Sequence, residues 1–221
     1  MKIKRGKQKL GCIFVAAIAI PILGTGCSTS FDYTPRHDQT YASIGNATGL
    51  AIRTGQDLRS GEEKQPGWAK DAEVIVALAL ADEVKHAQLF RRVKIHMDSV
   101  NLNKYSEVVQ FRVIKFECRN RAGFLETTGR DLLISKGIRG ALIADSIPTK
   151  YVSDVEIEFD IVDLSTENPV FSKTYSATRT VTANGYEGEK SKMQQTSAAL
   201  EEVVSKFVAD LTKTPLSRRS P

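Results

Sequence analysis

The stretch Asp154-Val-Glu-Ile-Glu-Phe-Asp-Ile161 alternates acidic and apolar residues without a break. Successive side chains of a β-strand point to opposite faces, so this strand would have one apolar face and one acidic face. Turn-forming residues follow at 163–169, and the segment from Val170 to Ala177 returns with strand-type residues. The sequence therefore predicts a β-hairpin in an antiparallel part of a sheet.

A long amphipathic helix is predicted after the hairpin, from about Glu189 to Thr212. Apolar residues recur there at steps of three and four, and charged residues occupy the opposite side. Pro215 ends the pattern, and a short basic tail follows. The apolar positions are Met193, Leu200, Val203, Val204, Phe207, Val208 and Leu211.

Three further elements are predicted before the hairpin. Residues 49–57 and 91–97 alternate as strands do, whereas 68–90 is rich in Ala and Leu and favours a helix. On this helix we expect Val76, Leu80 and Val84 to be buried, although they could instead form a docking face for another protein. Residues 132–143 are predicted as another strand, with bulge or bend points at Gly137 and Gly140.

Residues 105–119 fit two patterns. Tyr105, Val109 and Phe116 lie on one helical stripe, but the segment is also rich in the β-branched and aromatic residues that favour strands. Because parallel strands need crossover connections, we expect a helix here. Together these elements predict a single α/β domain at residues 49–212, with a mixed β-sheet packed by two or three helices, including the long C-terminal helix.

The first 27 residues have the layout of an export signal. Five basic residues without an acidic one precede an apolar run at 10–23, and small residues then lead to Cys27. The run of about 14 residues is too short to cross a bilayer as a helix, which needs about 20. This arrangement resembles the lipobox of bacterial lipoproteins, although Leu23 stands four residues before the cysteine, where the family usually has Leu three before.

The lipobox resemblance implies cleavage before Cys27, diacylglycerol on its sulfur and an acyl chain such as palmitate on its new amino group. An ordinary cleaved signal and an uncleaved anchor are the alternatives. On this basis residues 1–26 are a lipoprotein signal peptide, 27–48 a polar tether with an ordered patch near Tyr33 or Tyr41, and 213–221 a flexible tail. Ser28, in place of Asp, implies sorting to the outer membrane, facing the periplasm.

Loss of the signal removes five of the 31 basic residues and none of the 26 acidic ones, so the mature chain has a net charge of about zero. Nucleic-acid binding needs a positive face that displaces counterions, and the composition argues against such a partner. Cys118 would be the one cysteine left without lipid, which excludes an intrachain disulfide. We expect it to be a small buried residue and not a reactive thiol.

No catalytic, cofactor or metal site is predicted. His37, His86 and His96 stand in separate settings without a second ligand at helical spacing. Asp82 and Glu83 are adjacent on the predicted helix and would point about 100° apart, which is poor geometry for a carboxylate pair.

The acidic strand face is expected to be solvated, because a strand spreads its carboxylates in a row instead of arranging them around a Ca²⁺ ion. Cross-strand partners such as Lys173 would reduce the repulsion. The carboxylates are Asp154, Glu156, Glu158 and Asp160.

The order of elements resembles small α/β periplasmic lipoproteins, namely the YajG-like proteins and the auxiliary lipoproteins of ABC-type transport systems. Their layout is related to the curli-secretion lipoprotein and the TolB amino-terminal domain. The resemblance rests on Leu89-Phe90 with Val93 at the helix exit, on Val162-Asp163 after the acidic strand, and on residues 169–175.

This resemblance implies a lipid-anchored, non-catalytic accessory or assembly subunit of a cell-envelope complex. Its partners would be the membrane, through lipid on Cys27, and other envelope proteins. A carrier of a small hydrophobic ligand is the alternative function, and a hydrolase with an unrecognised site is a third.

Overall fold

The computed structural model describes residues 31, 33–37, 41, 49–60, 69–96, 105, 107–121, 135, 137, 147–164 and 166–213. These residues form six strands and two helices. The elements are β1 (Leu50–Arg53), β2 (Gln56–Asp57), α1 (Ala72–His86), β3 (Val93–His96), β4 (Glu107–Asn120), β5 (Thr149–Asp163), β6 (Pro169–Ala183) and α2 (Gly185–Leu211).

The six strands form one mixed sheet with the order β3-β1-β4-β5-β6, and the short β2 also pairs with β4. β1 lies parallel to both β3 and β4, and α1 supplies the crossover from β2 to β3 that the parallel pairing of β1 with β3 requires. β4, β5 and β6 are long antiparallel neighbours, and β5 and β6 form the predicted hairpin. The predicted fold class, a single α/β domain with a mixed sheet and a long C-terminal helix, is confirmed.

Both helices cover the same face of the sheet, and the core lies between them and the strands. The apolar residues of β5 face this core, while its acidic residues face the other way, as the alternation predicts. Phe159 of β5 stacks on Phe207 of α2 with ring centroids 4.4 Å apart, and Phe111 of β4 packs beside Phe159.

The prediction of a helix at residues 105–119 is wrong, because residues 107–120 form the strand β4. Val108 and Val109 are both fully buried although they point to opposite faces, so β4 lacks the clean alternation of β5 at its start. The crossover argument failed as well. α1 supplies the crossover between β1 and β3, whereas residues 107–120 are themselves a strand, parallel to β1 and β2 on one side and in a long antiparallel ladder with β5 on the other.

The other predicted elements are present with shifted ends. α1 is shorter than the predicted 68–90, α2 begins at Gly185 and not near Glu189, and the predicted first strand is divided into β1 and β2. The strand predicted at 132–143 lies outside the described residues apart from Ser135 and Gly137, and Gly137 has a positive φ of 84°.

Two residues fix the chain where it leaves the sheet for α1. Gly55 lies against Phe111, and a Cβ atom there would be 2.2 Å from the phenyl ring, so a larger residue would displace a core side chain. The buried Arg59 guanidinium pairs with Asp57 at 2.8 Å and donates to the carbonyl oxygens of Phe116 and Ala69. Arg59 thereby joins β4 to the start of α1.

Candidate functional site

A segment that precedes the first strand packs against the core and against both helices. We call its described residues, Phe31, 33–37 and Tyr41, the N-terminal strap. Phe31 is 7% exposed and meets Phe116 edge to face with ring centroids 5.2 Å apart. The Arg36 backbone N–H donates to Glu201 Oε1 at 3.2 Å, so the strap contacts α2 as well as the sheet.

Glu83 of α1 is the centre of the contacts between the strap and the helices. Its side chain is 2% exposed, and a carboxylate buried to this extent is costly unless hydrogen bonds compensate for lost water. Tyr41 donates its hydroxyl to Oε1 at 2.5 Å, and Ser205 of α2 donates to the same oxygen at 3.1 Å. His37 Nδ1 lies 3.3 Å from Oε2. One carboxylate therefore joins the strap, α1 and α2.

His37 brings further titratable groups to the same place. Its Nε2 lies 3.1 Å from Asp82 Oδ2, and its ring stacks on His86 with centroids 4.4 Å apart. The prediction that the three histidines stand in separate settings is therefore wrong for His37 and His86. The strap and α1 are far apart in the sequence, so local residue spacing could not indicate that these side chains meet. Among the described residues, no group of three or more His, Cys, Asp and Glu has the arrangement of a metal site.

The strap tyrosines are neutral, and Tyr41 donates a hydrogen bond to Glu83. Burial, assisted by the nearby carboxylates Glu201 and Glu83, raises the pKa of Tyr33 far above its ordinary value of 10.0. Burial and the hydrogen bond to Glu83 do the same to the pKa of Tyr41. Both phenols therefore keep their protons across the physiological pH range.

The contacts in this cluster favour a structural role over catalysis. A serine nucleophile needs its hydroxyl hydrogen bonded to a base, usually an imidazole that a third group orients. Here Ser205 gives its hydrogen to Glu83 directly, and Tyr41 and His37 occupy the rest of the carboxylate. Such a cluster fastens the strap to the helices. Tyr33 and Tyr41 were the sequence signal for it, as isolated aromatic residues in a polar stretch, whereas nothing near Ser205 indicated its contact.

An open hollow of about 620 Å³ lies where α1 ends and β3 begins. Lys85 and Arg91 to Lys94 line it together with Leu89 and Phe90, so its rim is strongly basic. Cations near the last turn of a helix also stabilise the negative end of the helix dipole, which accounts for Lys85 in part. The hollow could accept an anionic group.

The acidic face of β5 forms a network with cations of the neighbouring strand. Arg112 of β4 pairs with Glu158 at 2.8 Å and with Asp160 at 2.6 Å, and Lys115 and Arg119 pair with Glu156 and Asp154. The prediction that Lys173 pairs with these carboxylates is wrong. Lys173 lies on the face of the sheet that the helices cover, and it bonds to Asp210 of α2 at 2.7 Å.

The apolar residues of α1 are buried as expected, since Val76, Leu80 and Val84 are fully covered. Leu78 of the same helix is instead half exposed, as are Leu58 and Val170 elsewhere in the domain.

Cys118 is buried and accepts a hydrogen bond from Ser153 at 3.3 Å, as expected for a small interior residue. Cys27 lies outside the described residues, and so does the side chain of His96. Within the part of the chain that the structure describes, no helix is long and apolar enough to cross a membrane.

No family model and no curated protein sequence matches this chain. Its fold resembles protein XCC0632 of Xanthomonas campestris, of the DUF330 family, with a TM-score of 0.50 and 12% identity over 84% of this chain and 93% of that one. A neuraminyllactose-binding hemagglutinin homolog of Helicobacter pylori is also similar, with a TM-score of 0.45 and 10% identity over 86% and 93% of the two chains.

A minor lipoprotein of Acinetobacter baumannii matches with a TM-score of 0.41 and 9% identity over 80% of this chain and 98% of its own. At these identities the similarity to XCC0632 shows a shared fold and nothing finer. Bacterial lipoproteins are among the solved structures with a similar arrangement of elements.

Proposed function

We propose that this protein is an envelope lipoprotein, anchored by lipid on Cys27, whose domain faces the periplasm as a non-catalytic accessory or assembly subunit of an envelope complex. The observation that carries the proposal is the burial of Phe31, four residues after Cys27. A residue of the core therefore lies close in sequence to the proposed cleavage point, so the residues needed for the folded domain are kept if those before Cys27 are removed as a signal peptide.

The contacts of the titratable groups support a role without catalysis. The cluster around Glu83 is occupied by internal hydrogen bonds, and the carboxylates of β5 pair with cations of β4. Finer assignments remain predictions: membership of the YajG-like proteins, sorting to the outer membrane through Ser28, and the division of the chain at residues 26, 48 and 212.

The alternative, a carrier of a small hydrophobic ligand, gains no support from the hollow beside α1. Its basic rim and open shape suit an anionic group better than an apolar one. A carrier would be favoured if the purified protein retained an apolar small molecule and no protein partner.

The anchor is tested by labelling growing cells with an alkyne analogue of palmitate and separating the membranes. The wild-type protein should carry the label and sediment with membranes, whereas Cys27→Ser should lose both properties. Cys12→Ser is the matched control, because it changes a cysteine within the proposed signal and should leave the label unchanged. An acylated, membrane-bound Cys27→Ser protein would disprove the anchor.

The partner is tested by cross-linking in intact cells, followed by purification of the wild-type protein and of Cys27→Ser. A discrete set of envelope proteins that is lost from Cys27→Ser is the expected result. Recovery of lipid alone from both forms would contradict the role as an assembly subunit.

A further inference from the structure

We propose that the hollow between α1 and β3 is a binding site for a small, water-soluble molecule that carries a phosphate or diphosphate group. This basic hollow, lined by Lys85 and residues 88–94, has a volume of about 620 Å³, which lies within the usual range for a small-molecule site. Its described lining residues include no acidic one. The inference goes beyond the proposed function, because it does not depend on the lipid anchor.

The basic hollow brings together cations that lack a counter-charge. Lys85, Arg92 and Lys94 line it with exposed side chains, and among the described residues none of the three forms an ion pair. On the open face of the sheet, by contrast, the cations of β4 pair with the carboxylates of β5. Like charges around a concave surface repel one another and concentrate a field of one sign. A bound anion would offset this repulsion.

The sheet and the core hold the backbone around the basic hollow in place. The Leu50 N–H of β1 donates to the Arg92 carbonyl at 2.9 Å, and Lys94 continues the parallel pairing of β3 with β1. Leu89 and Phe90 are buried and belong to the core. The cations therefore extend from a fixed backbone, as a preorganised site requires.

Gln88 adds a neutral donor to the basic hollow at a conformational cost. Its φ of 53° lies in the left-handed region, and it directly follows Ala87, the residue that caps the end of α1. Glycine is the usual residue at such a position, because it has no Cβ atom to oppose this conformation. Glutamine here gives up backbone stability but places an amide group in the hollow, where it can donate to an oxygen of the ligand.

Several donors around one hollow suit a phosphate better than a carboxylate. A terminal phosphate carries more charge than a carboxylate and has three oxygens that accept hydrogen bonds, so guanidinium, ammonium and amide groups can bind it together. Arg92 would supply a planar pair of donors and Lys94 a point charge. We expect a soluble ligand because the hollow is concave, whereas the headgroups of a bilayer form a broad surface.

Isothermal titration calorimetry with sodium pyrophosphate tests the site. The lipidated mature protein would be kept in a non-ionic detergent and compared with Arg92→Ala and Lys94→Ala. Each variant should weaken binding about ten-fold, because it removes a charge-assisted contact. Lys70→Ala is the matched control, since it removes an exposed lysine just before the start of α1, a helix of 15 residues, and should leave the affinity unchanged. Undetectable binding to the wild-type protein, or an equal loss in Lys70→Ala, would overturn the proposal.

Further titrations test the class of ligand. Citrate carries a similar charge on carboxylates alone, so pyrophosphate should bind about ten-fold more tightly, and equal affinities would refute the assignment to phosphate. The pyrophosphate titration is then repeated with the protein anchored to phosphatidylcholine vesicles that contain phosphatidic acid or, as a control for surface charge, phosphatidylglycerol. A soluble ligand predicts the same affinity on both. Weaker binding with phosphatidic acid alone would assign the phosphate to a lipid headgroup and overturn the assignment to a soluble molecule.

Gln88→Gly separates binding from stability. Glycine adopts a φ of 53° at less cost, so the variant should unfold at a higher urea concentration than the wild-type protein. It should also bind pyrophosphate about three-fold more weakly, because the amide donor is lost. A variant that binds pyrophosphate as tightly as the wild-type protein would refute the role given to Gln88.

Discussion

At the scale of single residues, Glu83 shows how a charged group can organise a domain from within. An isolated carboxylate in an apolar interior is strongly unfavourable, and hydrogen-bond donors on all sides reduce the cost. Tyr41, His37 and Ser205 come from two other segments of the chain, so these contacts form only when the strap and both helices are in place.

Replacing Glu83 with alanine should lower the free energy of unfolding by about 2–4 kcal/mol, because it leaves the hydroxyls of Tyr41 and Ser205 without their acceptor in a buried space. Urea denaturation monitored by circular dichroism measures the change. Glu202→Ala is the matched control, since Glu202 pairs with Arg179 and Lys206 at the surface and should contribute less than about 1 kcal/mol. Equal losses for the two variants would contradict the role given to Glu83.

Asp210 gives the domain a pH-dependent contribution. The hydrogen bond from Lys173, with a second from Tyr175, lowers the pKa of Asp210 from 3.8 to about 2. Because the folded-state pKa lies below the unfolded value, the stabilisation is fully present above about pH 4 and is lost as the pH falls toward 2.

Asp210→Asn should therefore cost about 1–2 kcal/mol at neutral pH, allowing for partial exposure, and much less near pH 2. Urea denaturation of both proteins across this range measures the difference. Lys173→Met should reduce the same pH dependence, since it removes the largest cause of the shift. A difference that does not change with pH would show that the ion pair is not responsible.

At the scale of elements, the sequence was informative where one face of an element is apolar and the other polar. β5 and α2 have such faces, and both were predicted with errors only at their ends. β4 was missed because neighbours of opposite orientation, Val108 and Val109, are both buried. β4 is a strand because it pairs with β5, which is distant in the sequence, and a local sequence pattern does not contain that information.

The strap could be predicted only as aromatic residues in a polar stretch, because its partners lie far along the chain. Tyr41 and Glu83 are 42 positions apart, and Arg36 and Glu201 are 165 apart. Contacts over such separations depend on the packing of the two helices, and local periodicity does not encode them.

The fastening of the strap predicts its sensitivity to protease. Arg36 is exposed on the strap and offers trypsin a cleavage point before His37. Tyr41→Phe removes a hydrogen bond to a buried carboxylate, worth about 1.5 kcal/mol, and should increase local opening and cleavage roughly ten-fold. Mass spectrometry of the fragment that begins at His37 measures the rate. Tyr105→Phe, outside the strap, should leave the rate unchanged, and an unchanged rate in Tyr41→Phe would disprove the fastening.

At the scale of the whole molecule, the strap brings a segment close in sequence to Cys27, the proposed site of the lipid, into the folded domain. A free tether would let the domain move away from the membrane and rotate. Phe31 in the core and the contacts of Glu83 instead connect the site of the proposed lipid to the packing of α1 and α2. A lipid on Cys27 would thereby couple events at the membrane to the stability of the domain.

This coupling predicts that the domain predicted at residues 49–212 is incomplete when it is separated from the strap. An unlipidated form that begins at residue 49 should be less stable than one that begins at residue 28 by about 3–5 kcal/mol, the usual cost of removing a buried phenylalanine and its neighbours. Urea denaturation of the two purified forms measures this difference. The double variant Phe31→Ala with Tyr41→Phe, made in the longer form, should reproduce most of the loss, because these side chains make the buried contacts. Equal stability of the two forms would show that the strap lies on a domain that is complete without it.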